Sequence, residues 1–243
     1  MNASPEHQRI LLDVADLDRR IAQAERARTK PAQASRIAEL VAIRQEQLRE
    51  LTTLTGTRDD ARTELKRLES DVTLVEQRRT RDSERLAAAT NAKEAQALEH
   101  ELASLAKRQS DLEDIELAVM ARVEDADAAV AAQQALLDVT TSEGSALTSQ
   151  AKADVAAATE LGSQLARDRQ AVTESLPAPL LAEYTRRAAN SAGAALLTRG
   201  TCEGCRMLLP GTDLNDIRRA ASDAVVSCPE CGCILVRTEE SGL

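Results

Sequence analysis

Between Leu98 and Val172 the chain sets apolar residues at alternating steps of four and three, running through Leu102, Leu105, Leu112, Val123, Leu137, Leu147, Leu161 and Leu165. A repeat of 3.5 residues belongs to an α-helix that holds one narrow apolar face against a partner helix. At a rise of about 1.5 Å per residue, such a helix extends roughly 120 Å. No ordinary core has that length, so the partner must run alongside as a coiled coil. Composition agrees, because the chain has no Phe or Trp and a single tyrosine, Tyr184, while 29% of its residues are charged. Ala, Leu, Glu and Arg favour helix, and a thin helical seam needs no aromatic rings.

The partner seam precedes it. Ile37, Leu40, Leu51, Leu54, Leu65, Leu68, Val75 and Leu86 occupy two positions of one heptad frame. The spacing predicts a hairpin whose tip lies near residues 89–93, where Thr90 or Asn91 can cap the return helix. An earlier helix starts at Ser4-Pro5 and carries Ile10, Val14, Leu17, Ile21 and Ala24, and it should stop near Lys30 because Pro31 cannot continue it. Whole heptads from Ile10 reach position 38, yet the seam resumes at Ile37, so residues 30–36 read as a kink. Gly144, at a seam position of the return helix, costs roughly 1 kcal/mol relative to Ala and marks an expected bend on the other arm. The organisation that follows is a hairpin over 1–175, a short helical connector over 176–195 beginning in "LPAPLLAEYTRR", and a ribbon over 196–243.

All five cysteines lie in that last segment. Cys202-Glu-Gly-Cys205 and Cys228-Pro-Glu-Cys231 are two C-x2-C pairs, each able to grip a metal through a tight turn eased by Gly204 or Gly232. Two such pairs complete a four-thiolate tetrahedron suited to one Zn2+. Zinc is favoured over iron and over a redox pair, which would need a thioredoxin-like strand-helix context. Using Cys233 in place of Cys231 would break the match between the pairs, so Cys233 reads as a bystander. Four thiolates leave no open coordination position, which makes the metal structural rather than catalytic. Apolar runs at 207–209, 224–226 and 234–236 have strand character. The fold class is thus mainly α, a long antiparallel coiled-coil hairpin with a small C-terminal β zinc ribbon.

No catalytic constellation is visible. His7 and His100 are the only histidines, His100 lacks the second histidine of H-E-x-x-H, and no glycine-rich phosphate loop occurs. The chain carries a net charge of −9, near neutral over 1–90 and acidic over 91–173, which suits two antiparallel helices complementing each other along their flanks. The opening "MNASPEHQRILLDVADLDRR" turns polar too early for a leader, and no apolar run is long enough to span a membrane. A cytoplasmic protein is expected, and since the hairpin satisfies its own seam, a monomer.

Taken with "NAKEAQALEHELASLAKRQSDLED", "LPAPLLAEYTRR", "CEGCRMLLP" and the "CPECG" knuckle, the whole chain resembles the bacterial C4-type zinc ribbon proteins with a long N-terminal coiled-coil hairpin. The resemblance implies metal ligation by Cys202, Cys205, Cys228 and Cys231. It differs at Cys233, where such proteins commonly carry Arg, and at Val236, where they carry an aromatic residue. It also implies either of two roles, a coiled-coil adaptor or a nucleic-acid-binding protein. The adaptor, a non-enzymatic zinc-binding scaffold for a protein partner, is the favoured expectation. The alternative is a nucleic-acid-binding regulator using the ribbon and the basic tip residues Arg78, Arg79, Arg81, Arg85 and Lys93. Against it stand acidic residues interleaved with that cluster, an acidic ribbon, and the lack of aromatic stacking platforms.

Overall fold

The computed structural model describes residues Met1–Leu243. Its elements are α1 (Pro5–Thr29), α2 (Ala34–Ala88), α3 (Ala92–Glu174), α4 (Ala178–Ala188), β1 (Ala194–Thr198), β2 (Thr201–Cys202), α5 (Gly211–Arg219), β3 (Val226–Ser227) and β4 (Ile234–Val236), closed by a 3-10 turn over Glu239–Ser241. Ser4 caps α1, its hydroxyl accepting from the His7 amide at 3.2 Å. The Asn91 carboxamide accepts from the Lys93 amide at 3.0 Å and starts α3. The chain is therefore mainly helical, with its strands confined to the C-terminal segment.

The chain divides into two compact units, one of residues 35–148 and one of residues 1–34 with 149–243. In the first, α2 and the opening part of α3 form an antiparallel coil whose best-buried layer joins Leu68 to Leu112 and Val119. The flanks carry cross-helix ion pairs: Arg62 with Asp127 at 2.8 Å, Arg78 with Glu101 at 2.7 Å and Arg36 with Glu143 at 2.9 Å. Exposed pairs of this kind contribute well under ~1 kcal/mol each, but they discriminate against slipped registers. Towards the tip the seam turns polar. Asp82 sits there 8% exposed, and Arg79 donates to Gln109.

Helix α3 bears on two expectations. Gly144 interrupts nothing, for α3 is one helix from Ala92 to Glu174. Nor does a single heptad frame run its full length. Leu161 is 47% exposed, while Ala151 and Leu165 are buried and Gly162 is the residue that faces Ala24. The buried face advances from Leu147 through Ala151 to Val155, two successive steps of four, and then continues through Ala158 and Gly162. An inserted four-residue step shifts a coiled-coil seam by locally unwinding it. It falls opposite the Pro31 break, where Gln33 donates to Asp154 at 2.7 Å, so the frame change at Ile37 on one strand of the coil has a counterpart on the other.

The ribbon does not stand apart from the helices around it. Its sheet has the order β2-β1-β4-β3, with β1 parallel to β4 and the outer pairs antiparallel. Side chains alternate between its faces. Ala194, Ile234 and Val236 pack against Leu11 and Val14 of α1 and Leu180 and Tyr184 of α4, whereas Ala195, Leu197 and Leu235 pack on the cysteine side. The first residues of the chain extend this assembly, the Ala3 amide donating to the Asp223 carbonyl at 2.8 Å. Two features have no counterpart in the expectations from sequence: strand β1 starts before Cys202, and α5 occupies the segment between the knuckles. The strand character expected at 207–209 is not realised, for these residues form only an isolated bridge from Leu208 to Thr201.

Candidate metal centre

Two knuckles of matching hydrogen-bond pattern build the site. In the first, the Arg206 amide donates to the Cys202 carbonyl at 2.7 Å and the Cys202 amide to the Met207 carbonyl at 3.0 Å; in the second, Gly232 donates to Cys228 at 3.0 Å and Cys228 to Cys233 at 2.9 Å. Each turn needs a left-handed residue immediately after its second cysteine. Gly232 meets that need at φ 76° without penalty, and Arg206 adopts φ 62°. At Gly204 the constraint is space rather than conformation: a Cβ there would lie 3.0 Å from the Ala195 Cβ and 3.4 Å from the Cys233 sulfur.

These turns aim four sulfurs at one point. The Sγ atoms of Cys202, Cys205, Cys228 and Cys231 all lie within 4.8 Å of one another. The separations of 4.0 Å from Cys202 to Cys231 and 3.8 Å from Cys205 to Cys228 match the edge of a tetrahedron with metal–sulfur bonds of about 2.3 Å. Backbone amides complete the shell. Met207 donates to the Cys205 sulfur and Cys233 to the Cys231 sulfur, each favouring the thiolate. Burial opposes ionisation at Cys231, yet the Cys233 amide and neighbouring thiols bring it down to about 7; at Cys228 burial dominates and pushes the thiol up to about 12. A metal reverses such penalties by binding the deprotonated form. The donor set fits Zn2+, and with four protein ligands the ion has a structural role.

Outer contacts hold the knuckles in place. Arg187 on α4 donates to the Gly232 carbonyl at 2.5 Å and to the Ser227 hydroxyl at 2.7 Å, while Glu183 holds its other edge at 2.7 Å. Arg237 donates to the Ile217, Ala220, Ala221, Ser222 and Ala224 carbonyls and so ties down the end of α5 and the loop before β3. Neither arginine was singled out from sequence. Only their position beside a helix end and a strand hinted at a role, and that signal is shared by most arginines.

The chain matches the model of the CT398-like coiled coil hairpin domain over residues 14–192 and that of the C4-type zinc ribbon domain over residues 201–235. The chain belongs to the CT398-like coiled-coil hairpin family. An uncharacterized protein of Mycobacterium tuberculosis, found in strains H37Rv and CDC 1551, is 32% identical over 98% of both chains. A solved Mycobacterium smegmatis structure superposes with a TM-score of 0.80 at 30% identity, covering 98% of this chain and 100% of its own. CT398 of Chlamydia trachomatis shares the fold at TM-score 0.60 and 19% identity, over 95% of this chain and 97% of its own. Family membership places the four clustered cysteines in a C4 ribbon with one structural Zn2+, and both matched families are defined by their architecture, a coiled-coil hairpin and a zinc ribbon.

The basic residues near the tip lie in the other unit, and two of the five, Arg78 and Arg85, pair with carboxylates. Arg78 pairs with Glu101 at 2.7 Å and reaches Asp82 at 3.7 Å, Arg79 donates to Gln109, and Arg85 lies between Asp82 at 3.7 Å and Glu94 at 3.9 Å. Arg81 donates to the Gln77 carbonyl, and Lys93 makes no ion pair. No helix of the protein is long and apolar enough to cross a membrane.

Proposed function

We propose that this protein is a monomeric cytoplasmic adaptor, in which the zinc ribbon and the coil each offer a surface to a protein partner. The observation that carries the reading is the apolar pair beside the first knuckle, with Met207 51% and Leu208 70% exposed. A zinc-stapled turn holds these side chains outward on a rigid base, an arrangement suited to anchoring in a partner's pocket. The coil supports it separately. One heptad along from the Arg36–Glu143 pair, the equivalent flank positions are Ile43 and Leu136, with Val139 one turn away, and all three are exposed. Two of the tip arginines, Arg78 and Arg85, are already matched to carboxylates, which counts against phosphate binding, since that needs unneutralised positive charge.

The test is affinity purification of the zinc-loaded chain from its native host, with and without nuclease, beside a Met207→Asp, Leu208→Asp variant whose zinc content is verified. A stoichiometric protein partner should survive nuclease and be lost from the variant. Recovery of nucleic acid alone would overturn the adaptor in favour of a nucleic-acid-binding regulator. Light scattering of the free protein should return the mass of one chain.

A further inference from the structure

Cys233 stands outside the zinc shell but beside it. It immediately precedes β4 and, two residues before Leu235, packs with it on the cysteine side of the sheet, where it is fully buried. Its Sγ lies 3.4 Å from that of Cys231 and 3.6 Å from that of Cys202, and those two are 4.0 Å apart. The point equidistant from the three is roughly 2.1 Å from each, close to a metal–thiolate bond of about 2.3 Å. The knuckle itself does not require this sulfur. At the corresponding position of the first knuckle, Met207 turns outward to solvent. Room for the fifth sulfur depends on Gly204, because a Cβ there would press on both Cys233 and Ala195.

We propose that Cys202, Cys231 and Cys233 form a second metal site, overlapping the first, which takes Cu(I) in three-coordinate geometry in competition with zinc. Thiolates select soft ions, and a planar set of three sulfurs suits a monovalent d10 cation better than Zn2+, which takes four ligands in a tetrahedron. Two of the zinc ligands are shared, so occupancy of the triangle withdraws Cys202 and Cys231 from zinc and leaves it with Cys205 and Cys228 alone. Cys231, only partly buried, provides the path of entry. Copper therefore loosens the fastener of the ribbon, and Cys233 confers that sensitivity.

The experiment is an anaerobic titration of the zinc-loaded full chain with Cu(I) buffered by bicinchoninate, following copper transfer, zinc release and the near-ultraviolet thiolate-to-copper absorption. Wild type should take one Cu(I) with release of one Zn2+, and X-ray absorption should find three sulfur neighbours around copper. Cys233→Ser should retain its zinc but bind Cu(I) at least tenfold more weakly, since even outer-shell changes cost metal sites about 10- to 100-fold in affinity. Equal copper affinity in Cys233→Ser and wild type would overturn the proposal, as would two or four sulfur neighbours. Loss of zinc from Cys233→Ser would overturn it too, because Cys233 would then belong to the zinc shell.

Discussion

Tyr184 shows how much one residue carries in a chain almost without aromatics. Its ring is fully buried at the junction of α1, α4 and the sheet, and its hydroxyl donates to Asp18 at 2.8 Å. Arg169 donates to the same carboxylate from α3 at 2.5 Å, so a single contact group joins three helices. Burial, and then the Asp18 carboxylate, raises the phenol above its ordinary pKa and keeps it a hydrogen-bond donor at any physiological pH. Tyr184→Phe should cost about 1 kcal/mol through the lost hydrogen bond, and Tyr184→Ala about 4 kcal/mol through the cavity, both read from denaturant melts. Backbone strain gives a second expectation of opposite sign. Arg206→Gly should stabilise the zinc form by about 1 kcal/mol, whereas Gly232→Ala should cost about the same, because both positions are left-handed.

Among the elements, α4 matters more than its eleven residues suggest. Its last turn presents Arg187 to the Gly232 carbonyl, and Glu183 one turn back orients that guanidinium. Hydrogen bonds from Arg186 and then Arg187 hold the Glu183 carboxyl down to about 2. Because this folded value lies below the ordinary one of 4.5, the stabilisation is complete above about pH 4.5 and fades as pH falls towards about 2. The melting temperature of wild type should therefore exceed that of Glu183→Gln at pH 6, and the gap should close between pH 4.5 and pH 2. The ribbon helix α5 has a comparable keeper in Arg237, which donates to the Ile217 and Ala220 carbonyls at its C-terminal end and to three carbonyls of the loop before β3.

At the scale of the whole molecule, zinc and the coil seam stabilise different parts. Residues 35–148 bury their own seam and need no metal, while the ribbon core of Leu197, Leu209, Ile217 and Leu235 closes around the cysteines. Chelation should release one zinc per chain and abolish amide protection in β1, β4 and α5, as read by hydrogen exchange. Far-UV circular dichroism should keep most of its helical signal.

Sequence alone determined the long helices, the tip near Asn91, the break at Pro31 and the pairing of Cys202-Cys205 with Cys228-Cys231. Each of these is written within a few residues of itself, as a heptad step, a cap, a missing amide proton or a two-residue gap between thiols. Tertiary structure alone decided that Gly162 rather than Leu161 faces Ala24, and that Gly144 passes within an unbroken helix. It also made Ala194–Thr198 a strand, by pairing it in parallel with β4. The same holds for Arg187, Arg237 and Cys233, whose roles depend on carbonyls and sulfurs supplied by distant segments. Periodicity specifies which face of a helix is apolar, but the identity of the atoms that meet that face is settled only when the partner element packs against it.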